Sequence, residues 1–140
     1  MLPNQKFEVI EASQLFDSVR QMRNQGARLV QICATSFTDT LELTYTFETE
    51  AKLTNLRILV GKQDTVPSIT PLYACAFLYE NEMHDLFNLR VAGISVDFKG
   101  TLYTTRLNFA FEGTNGNPSK NGKRANNGVA TSTPPAPQAP

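Results

Sequence analysis

The stretch Leu41-Glu42-Leu43-Thr44-Tyr45-Thr46-Phe47-Glu48 alternates apolar and polar side chains without a break. Successive side chains of a β-strand point to opposite faces, so this pattern predicts a half-buried antiparallel strand with one face in water. A second run with the same period follows at Leu56, Ile58 and Val60. The two runs predict neighbouring strands of one sheet.

The residues before this stretch predict a strand, a helix and another strand. Lys6 to Glu11 is the first short strand, and the helix is expected from Gln14 to Gln25. Ser13 is the expected N-cap of this helix and Gly26 is its expected stop. Its apolar stripe consists of Leu15, Val19 and Met22. The segment from Arg28 to Phe37 contains the apolar run LVQICA and is therefore expected to be a central strand.

A second helix is expected to open at Thr70-Pro71, with proline at the first helical position, and to run to about Phe87. One apolar stripe of this helix consists of Leu72, Ala76, Tyr79, Met83 and Leu86. The other positions of its first half are apolar as well, namely Tyr73, Ala74, Cys75, Phe77 and Leu78. A small sheet covers only one side of such a helix, so a partner protein is expected to cover the other side.

The order strand, helix, three strands, helix predicts an α+β fold, with a single mostly antiparallel sheet and the helices on one face. From about Leu89 to Phe111 the chain is rich in apolar residues and is expected to form one more strand or an extended arm. Residues 113–140 contain no aromatic residue and only one large aliphatic side chain, Val129. They are expected to be a disordered tail after a folded unit of residues 1–112.

Charge and hydropathy exclude several classes of function. Residues 1–112 carry ten Lys and Arg against thirteen Asp and Glu, which argues against nucleic acid as the main ligand. No run of about 18 apolar residues is present to span a bilayer. The N-terminus lacks the apolar core of a signal peptide, so a cytoplasmic location is expected. Cys33 and Cys75 lie in apolar runs and are expected to be buried, with a disulfide or redox pair as the alternative.

No ligand set for a metal or cofactor converges in the sequence. Two cysteines are too few for an iron–sulfur cluster or a four-cysteine zinc site, and no phosphate-binding glycine motif is present. Glu80 and the single histidine, His84, share a helix face and could form a two-ligand metal site. The favoured interpretation is that this face is solvated or lies in an interface. The acids Glu80, Glu82 and Asp85 leave a small carboxylate-dependent enzyme as an alternative.

These acids also belong to a recognisable pattern. Pro67-Ser68-Ile69-Thr70, followed by Glu80, Glu82, Asp85, Leu86 and Phe87, resembles the signature of the 30-kDa subunit family of respiratory complex I. Asn81 stands where that family usually has arginine, His84 where an aromatic residue is common, and Asn88 where it has glycine. Asn88 is still suited to a left-handed helix stop. The resemblance covers about Phe7 to Tyr103 and agrees with the family's α+β fold.

The segment from Gly93 to Tyr103 and the short length look more like the D subunit of Ech-type energy-converting nickel–iron hydrogenases. The resemblance implies a cofactor-free, non-catalytic subunit of a peripheral arm on the cytoplasmic side of the membrane. Its partners would be the large catalytic subunit and the small iron–sulfur subunit. The rivals are the equivalent subunit of a complex-I-like quinone oxidoreductase and a free-standing binding module. The expected interface residues are Pro67, Ser68, Ile69, Phe77, Tyr79, Glu80, Glu82, His84, Asp85, Phe87, Phe98 and Tyr103.

Truncation after Glu112 tests the predicted domain boundary. Because the removed residues carry almost no apolar surface, the shortened chain is expected to melt within about 1 °C of the full chain and to assemble equally well. Circular dichroism melting and co-purification with partner subunits provide the measurements. Loss of the fold or of assembly would show that the last 28 residues are needed.

Overall fold

The structure is a computed structural model and describes residues 4–102. The predicted tail, Tyr103 and the rest of the predicted arm lie outside the described residues. The elements are β1 (Asn4–Val9), a 3-10 turn (Ala12–Gln14), α1 (Leu15–Asn24), β2 (Arg28–Ser36), β3 (Thr40–Thr49), β4 (Lys52–Gly61), β5 (Thr65–Pro67), α2 (Ala76–Phe87) and β6 (Arg90–Ala92).

The predicted α+β sheet is confirmed. Four strands lie in the order β1-β4-β3-β2, with β2, β3 and β4 antiparallel to their neighbours and β1 parallel to β4. A two-stranded parallel pair of β5 and β6 lies beside this sheet and was not anticipated from the sequence. This pair fixes the segments before and after α2 next to each other, because β5 precedes the helix and β6 follows it.

Both helices pack on one face of the four-stranded sheet, as the alternation in β3 predicts. Leu15 and Val19 of α1 and Ala76 and Met83 of α2 belong to one buried core with the sheet. The sheet residues in this core are Leu41, Leu43, Tyr45, Phe47, Leu56, Ile58 and Val60. On the opposite face Thr46 is buried and not solvated as predicted. Its hydroxyl donates a hydrogen bond to Asn55 Oδ1 (2.7 Å), which satisfies it in place of water.

The expectation that β2 is a central strand is wrong. In the described sheet β2 is an edge strand and pairs only with β3. Its register shifts at Val30, a bulge at which two consecutive residues, Leu29 and Val30, are both half-buried. Helix α2 packs against β2 as well. The apolar run of β2 therefore reflects the bulge and the helix, and not strands on both sides.

Helix α1 matches the predicted span within one residue at each end, but Ser13 does not cap it. Ser13 lies exposed in the preceding 3-10 turn, where the Glu11 N–H donates to Gln14 Oε1 (3.2 Å). Gly26 ends the helix as predicted, with φ +76°. The Gly26 and Ala27 N–H groups bond the carbonyls of Arg23 and Met22 (both 3.0 Å), which closes a Schellman motif.

Helix α2 begins at Ala76, five residues later than Pro71, the predicted first helical position. Residues 70–75 form turns, in which the Ile69 carbonyl accepts the N–H groups of Leu72 (3.0 Å) and Tyr73 (2.9 Å). The predicted end at Phe87 is confirmed, and Asn88 takes the left-handed conformation (φ 57°) with its N–H bonded to the His84 carbonyl (3.0 Å).

The two cysteines are not buried, contrary to expectation. Both are free thiols and both are exposed. Cys33 lies on the face of β2 turned away from the helices, in register with Thr44. Cys75 stands directly before α2, on the side of the helix that the sheet does not cover. An apolar run therefore does not imply burial at an edge strand or at a helix entrance.

The turn between β3 and β4 yields a prediction about stability. Glu50 (φ 50°) and Ala51 (φ 61°) both adopt the left-handed conformation, which costs a residue with a Cβ about 1–2 kcal/mol. Ala51→Gly is expected to stabilise the fold by about 0.5–1 kcal/mol, since the Ala51 N–H bond to Glu48 Oε1 (2.9 Å) is kept. Urea unfolding measures the change. The control is Ala34→Gly in β2, which is expected to destabilise, and a loss of stability in Ala51→Gly would contradict the account.

Candidate partner interface

The carboxylate of Glu80 ties α2 to the segment that leads into it. Glu80 is only 1% exposed. Its Oε2 accepts the Ser68 hydroxyl (2.6 Å) and its Oε1 accepts the Ile69 N–H (2.7 Å). Ser68 Oγ in turn accepts the Thr70 N–H (3.1 Å) and lies 2.7 Å from Thr70 Oγ1. Residues 68–70, here called the entry loop, are thus closed around one side chain of α2.

Burial raises the pKa of the Glu80 carboxyl, and the hydrogen bonds from Ser68 and Ile69 oppose that rise without cancelling it. The nearby hydroxyl of Tyr45 is fully buried in the sheet and has no hydrogen-bond partner among the described residues. Burial raises the pKa of this phenol, and the negative charge of Glu80 raises it further. Both groups are therefore weaker acids at the centre of the fold than they are in water.

Asn81, the next residue of α2, holds the segment on the other side of the helix. Asn81 is fully buried. Its Nδ2 donates to the carbonyls of Phe77 and Val96 (both 2.7 Å), and its Oδ1 accepts the Phe98 N–H (2.8 Å). The Ser95 N–H also donates to Thr70 Oγ1 (3.1 Å). Residues 93–102, here called the exit loop, are therefore held by Asn81 and by the entry loop.

The exit loop covers one side of α2 and creates a new apolar surface. The Phe98 ring stacks on Phe77, with centroids 6.4 Å apart and planes at 29°. Val96 is 48% exposed, Phe98 37% and Leu78 49%. These four residues are called the α2 patch below. Half-buried Glu82 lies one turn along the helix from Leu78, and exposed Asp97 lies between Val96 and Phe98.

The predicted interface residues other than Tyr103, which lies outside the described residues, divide into two groups in the structure. Ser68, Ile69, Glu80 and Asp85 are buried within the chain. The half-buried or exposed members are Pro67, Phe77, Tyr79, Glu82, His84, Phe87 and Phe98. Their presence in an interface stays a prediction, and the structure shows which side chains reach the surface.

Two half-buried members of that set make contacts within the chain. The Tyr79 hydroxyl donates to the Val30 carbonyl (3.2 Å) at the bulge of β2. His84 Nδ1 lies 3.1 Å from the Leu89 carbonyl. Tyr79 therefore holds α2 against β2, and His84 contacts the backbone that leaves the end of α2.

Sequence reasoning missed the role of Asn81 and a second apolar surface. The sequence marks Asn81 only as a departure from arginine, although its amide can both donate hydrogen bonds to backbone groups and accept them. Phe7, Val9 and Leu59 are exposed on the sheet face opposite the helices. The Arg57 guanidinium lies 5.1 Å from the Phe7 ring centroid on that face. The alternation of Phe7 and Val9 with charged residues was the available signal.

Groups of metal ligands and membrane-spanning helices were both sought among the described residues. Among residues 4–102 no three His, Cys, Asp or Glu side chains are grouped to hold a metal ion. Neither helix in that range is long and apolar enough to cross a membrane.

Residues 8–106 match the family described as "Respiratory-chain NADH dehydrogenase, 30 Kd subunit". A similar fold occurs in a chain of the membrane-bound sulfane sulfur reductase, an archaeal respiratory membrane complex, with a TM-score of 0.65 and 17% sequence identity. The likeness covers 72% of this chain and 64% of that chain, and at this identity it concerns the fold alone. None of the curated proteins matches the chain.

The raised pKa of Glu80 predicts a pH dependence of stability. The folded state binds the Glu80 proton more tightly than the unfolded state, whose carboxyl has the ordinary pKa of 4.5. Its contribution to stability is therefore unchanged below pH 4.5 and becomes less favourable as pH rises through the raised folded-state pKa. Glu80→Gln keeps a donor and an acceptor but cannot ionise, so it should gain stability relative to wild type over that window.

Urea unfolding between pH 3.5 and 8 checks this sign, and Glu48→Gln provides a control of opposite sign. The Arg28 side chain and the Ala51 N–H lower the pKa of Glu48, so that variant should lose relative stability as pH rises. Glu80→Ala removes both hydrogen bonds and should cost about 2–3 kcal/mol below pH 4.5, a cost that shrinks as pH rises through the raised folded-state pKa. A Glu80→Gln difference that stays constant with pH would contradict the account.

Proposed function

The chain belongs to the respiratory-chain NADH dehydrogenase 30-kDa subunit family, and from that premise we propose that it is a non-catalytic subunit of a membrane-bound energy-converting nickel–iron hydrogenase. In this role it packs on the large catalytic subunit, next to the small iron–sulfur subunit. The complex passes electrons from reduced ferredoxin to protons and couples this reaction to ion translocation. The chain lies on the cytoplasmic side and reaches the membrane only through other subunits.

The observation that carries a subunit role is the α2 patch. Asn81 bonds the backbone of Val96 and Phe98, whose large apolar side chains remain exposed, and Leu78 of α2 is exposed as well. Large apolar side chains left exposed together often mark sites of protein interaction. Glu80, the acid that a carboxylate-dependent enzyme would use, is instead buried and bonded within the chain.

The choice of a hydrogenase within this family rests on the resemblance of the sequence from Gly93 to Tyr103. The equivalent subunit of a quinone-reducing complex remains the second candidate, because the family carries the name of NADH dehydrogenase. The similar fold in a sulfane sulfur reductase supports a respiratory complex in general.

The proposal gives this chain no cofactor. Its two cysteines stand on different elements, Cys33 in β2 and Cys75 before α2, whereas an iron–sulfur cluster usually takes four cysteine ligands. Nickel and the iron–sulfur clusters would belong to other subunits. Nucleic acid is not among the proposed partners, since the described residues carry more acids than bases.

A tagged copy of the full chain, expressed in the organism that encodes it, tests the proposal. Detergent extraction of membranes and affinity purification should yield a complex with a nickel-binding subunit that evolves hydrogen from reduced ferredoxin. The purified chain alone should contain no stoichiometric iron, nickel or zinc and show no such activity. A nickel-free complex that reduces quinone would favour the second candidate. A chain that purifies from membranes and cytosol without partners would overturn both.

A further inference from the structure

We infer that the entry loop is a pH-sensitive switch that controls how firmly the exit loop is held. Hydrogen bonds run from the Glu80 carboxyl through two hydroxyl groups to the backbone N–H of Ser95. The direction of these bonds reverses when the carboxyl gains a proton, and the exit loop is then held less firmly. The switch lies within this chain and is therefore independent of the proposed function.

This network of hydrogen bonds is closely spaced and withdrawn from water. Ser68 Oγ lies 2.6 Å from Glu80 Oε2 and 2.7 Å from Thr70 Oγ1, and it also accepts the Thr70 N–H (3.1 Å). Thr70 Oγ1 accepts the Ser95 N–H (3.1 Å). Ser68 and Thr70 are buried, so water does not readily replace a partner that either hydroxyl loses. The orientation of each hydroxyl is therefore set by its neighbours in the network.

When Glu80 is ionised, every hydroxyl of the network has a partner. A carboxylate only accepts hydrogen bonds, so the Ser68 hydroxyl donates to Glu80 Oε2. Ser68 Oγ then uses its two lone pairs to accept the N–H and the hydroxyl of Thr70. Thr70 Oγ1 accepts the Ser95 N–H, and it accepts this bond better because its own hydrogen is donated, since linked hydrogen bonds polarise one another.

A proton on Glu80 reverses these roles. The Ile69 N–H donates to Glu80 Oε1 in both states, so Oε1 stays an acceptor and the proton is carried by Oε2. Oε2 then donates to Ser68 Oγ, whose second lone pair still accepts the Thr70 N–H, so the Ser68 hydroxyl must donate to Thr70 Oγ1. Thr70 Oγ1 now accepts from both Ser68 and Ser95, and its own hydrogen meets no other acceptor among the described residues. The bond to the Ser95 N–H is therefore weaker in the protonated state.

Burial of Glu80 brings this change closer to neutral pH, because it raises the pKa of the carboxyl. Tyr45 faces Glu80 from the sheet, and burial raises the pKa of its phenol as well, so it carries no charge at neutral pH. The entry loop contains no titratable side chain. The remaining titratable groups of the elements packed here are His84 on the same side of α2, Glu82 and Asp85 on its other sides, and the exposed Arg90, Asp97 and Lys99 after the helix. Glu80 is the group among these that bonds the network directly.

NMR spectroscopy of the isotope-labelled full chain from about pH 4 to about pH 8 tests the inference. The carboxyl carbon of Glu80 reports its titration, and hydrogen-exchange protection factors, which remove the intrinsic effect of pH on exchange, report the amides. As pH falls through the pKa of Glu80, the protection of the Ser95 amide is expected to fall about fivefold. The Phe98 amide, which is bonded to Asn81, and the Leu43 amide in β3 are expected to keep their protection.

Three variants assign the effect to the network. Glu80→Gln resembles the protonated state, because its amide donates to Ser68 and accepts from Ile69 but cannot ionise, so the Ser95 amide should show the low protection at every pH. Thr70→Val removes the hydroxyl that accepts the Ser95 N–H and should also give low protection without a pH step. Glu82→Gln, the matched control two residues along α2, should keep the pH step of the wild type.

Several results would overturn the switch and leave the proposed function standing. One is a Ser95 amide whose protection stays constant while Glu80 titrates, and another is a Glu80 carboxyl that does not titrate in this range. A pH step that persists in Glu80→Gln would come from another group such as His84, and a simultaneous loss at Leu43 would mean that the whole sheet is destabilised. The wild-type titration needs no substitution, so it decides the question even if Glu80→Gln or Thr70→Val does not fold.

Discussion

The buried carboxylate of Glu80 is the constraint on which the helix side of this fold depends. A carboxylate withdrawn from water needs donors, and Ser68 and the Ile69 backbone supply them at 2.6 and 2.7 Å. Meeting that need closes the entry loop, so that residues 70–75 form turns and α2 starts only at Ala76. The same loop offers Thr70 Oγ1 to the Ser95 N–H, which links it to the exit loop.

From this arrangement follows the surface that the molecule presents. Helix α2 is covered on one side by the sheet, on a second by the entry loop and on a third by the exit loop that Asn81 fixes. Among residues 4–102, Leu78 is the one exposed residue of α2 and Glu82 is half-buried, while the exit loop adds exposed Val96 and Phe98. The chain thus covers much of its apolar helix with its own residues. The apolar side chains that stay exposed on this side are Leu78, Val96 and Phe98. Exposed apolar side chains of this kind are consistent with the proposed role as a subunit of a larger complex.

The sequence predicted the features that local patterns determine. The alternation in β3 fixed the core face from Leu41 to Phe47, and Gly26 and Asn88 ended their helices where backbone chemistry requires. The features that the sequence did not predict correctly have a common cause, because contacts between residues that are distant in sequence determine them. The edge position of β2 depends on a bulge and on α2, and the late start of α2 depends on Glu80, eleven residues beyond Ile69. The role of Asn81 depends on a loop that follows it by fifteen residues or more.

The measurement that tests the central claim most directly is a cryo-electron microscopy structure of the complex purified through this chain. The account predicts that Leu78, Val96 and Phe98 are buried against another subunit. It also predicts that the bonds of Glu80 to Ser68 and of Asn81 to Phe98 keep the lengths they have here. A complex in which these three side chains remain in solvent, with the partner seated instead on Phe7 and Leu59 of the opposite sheet face, would contradict it.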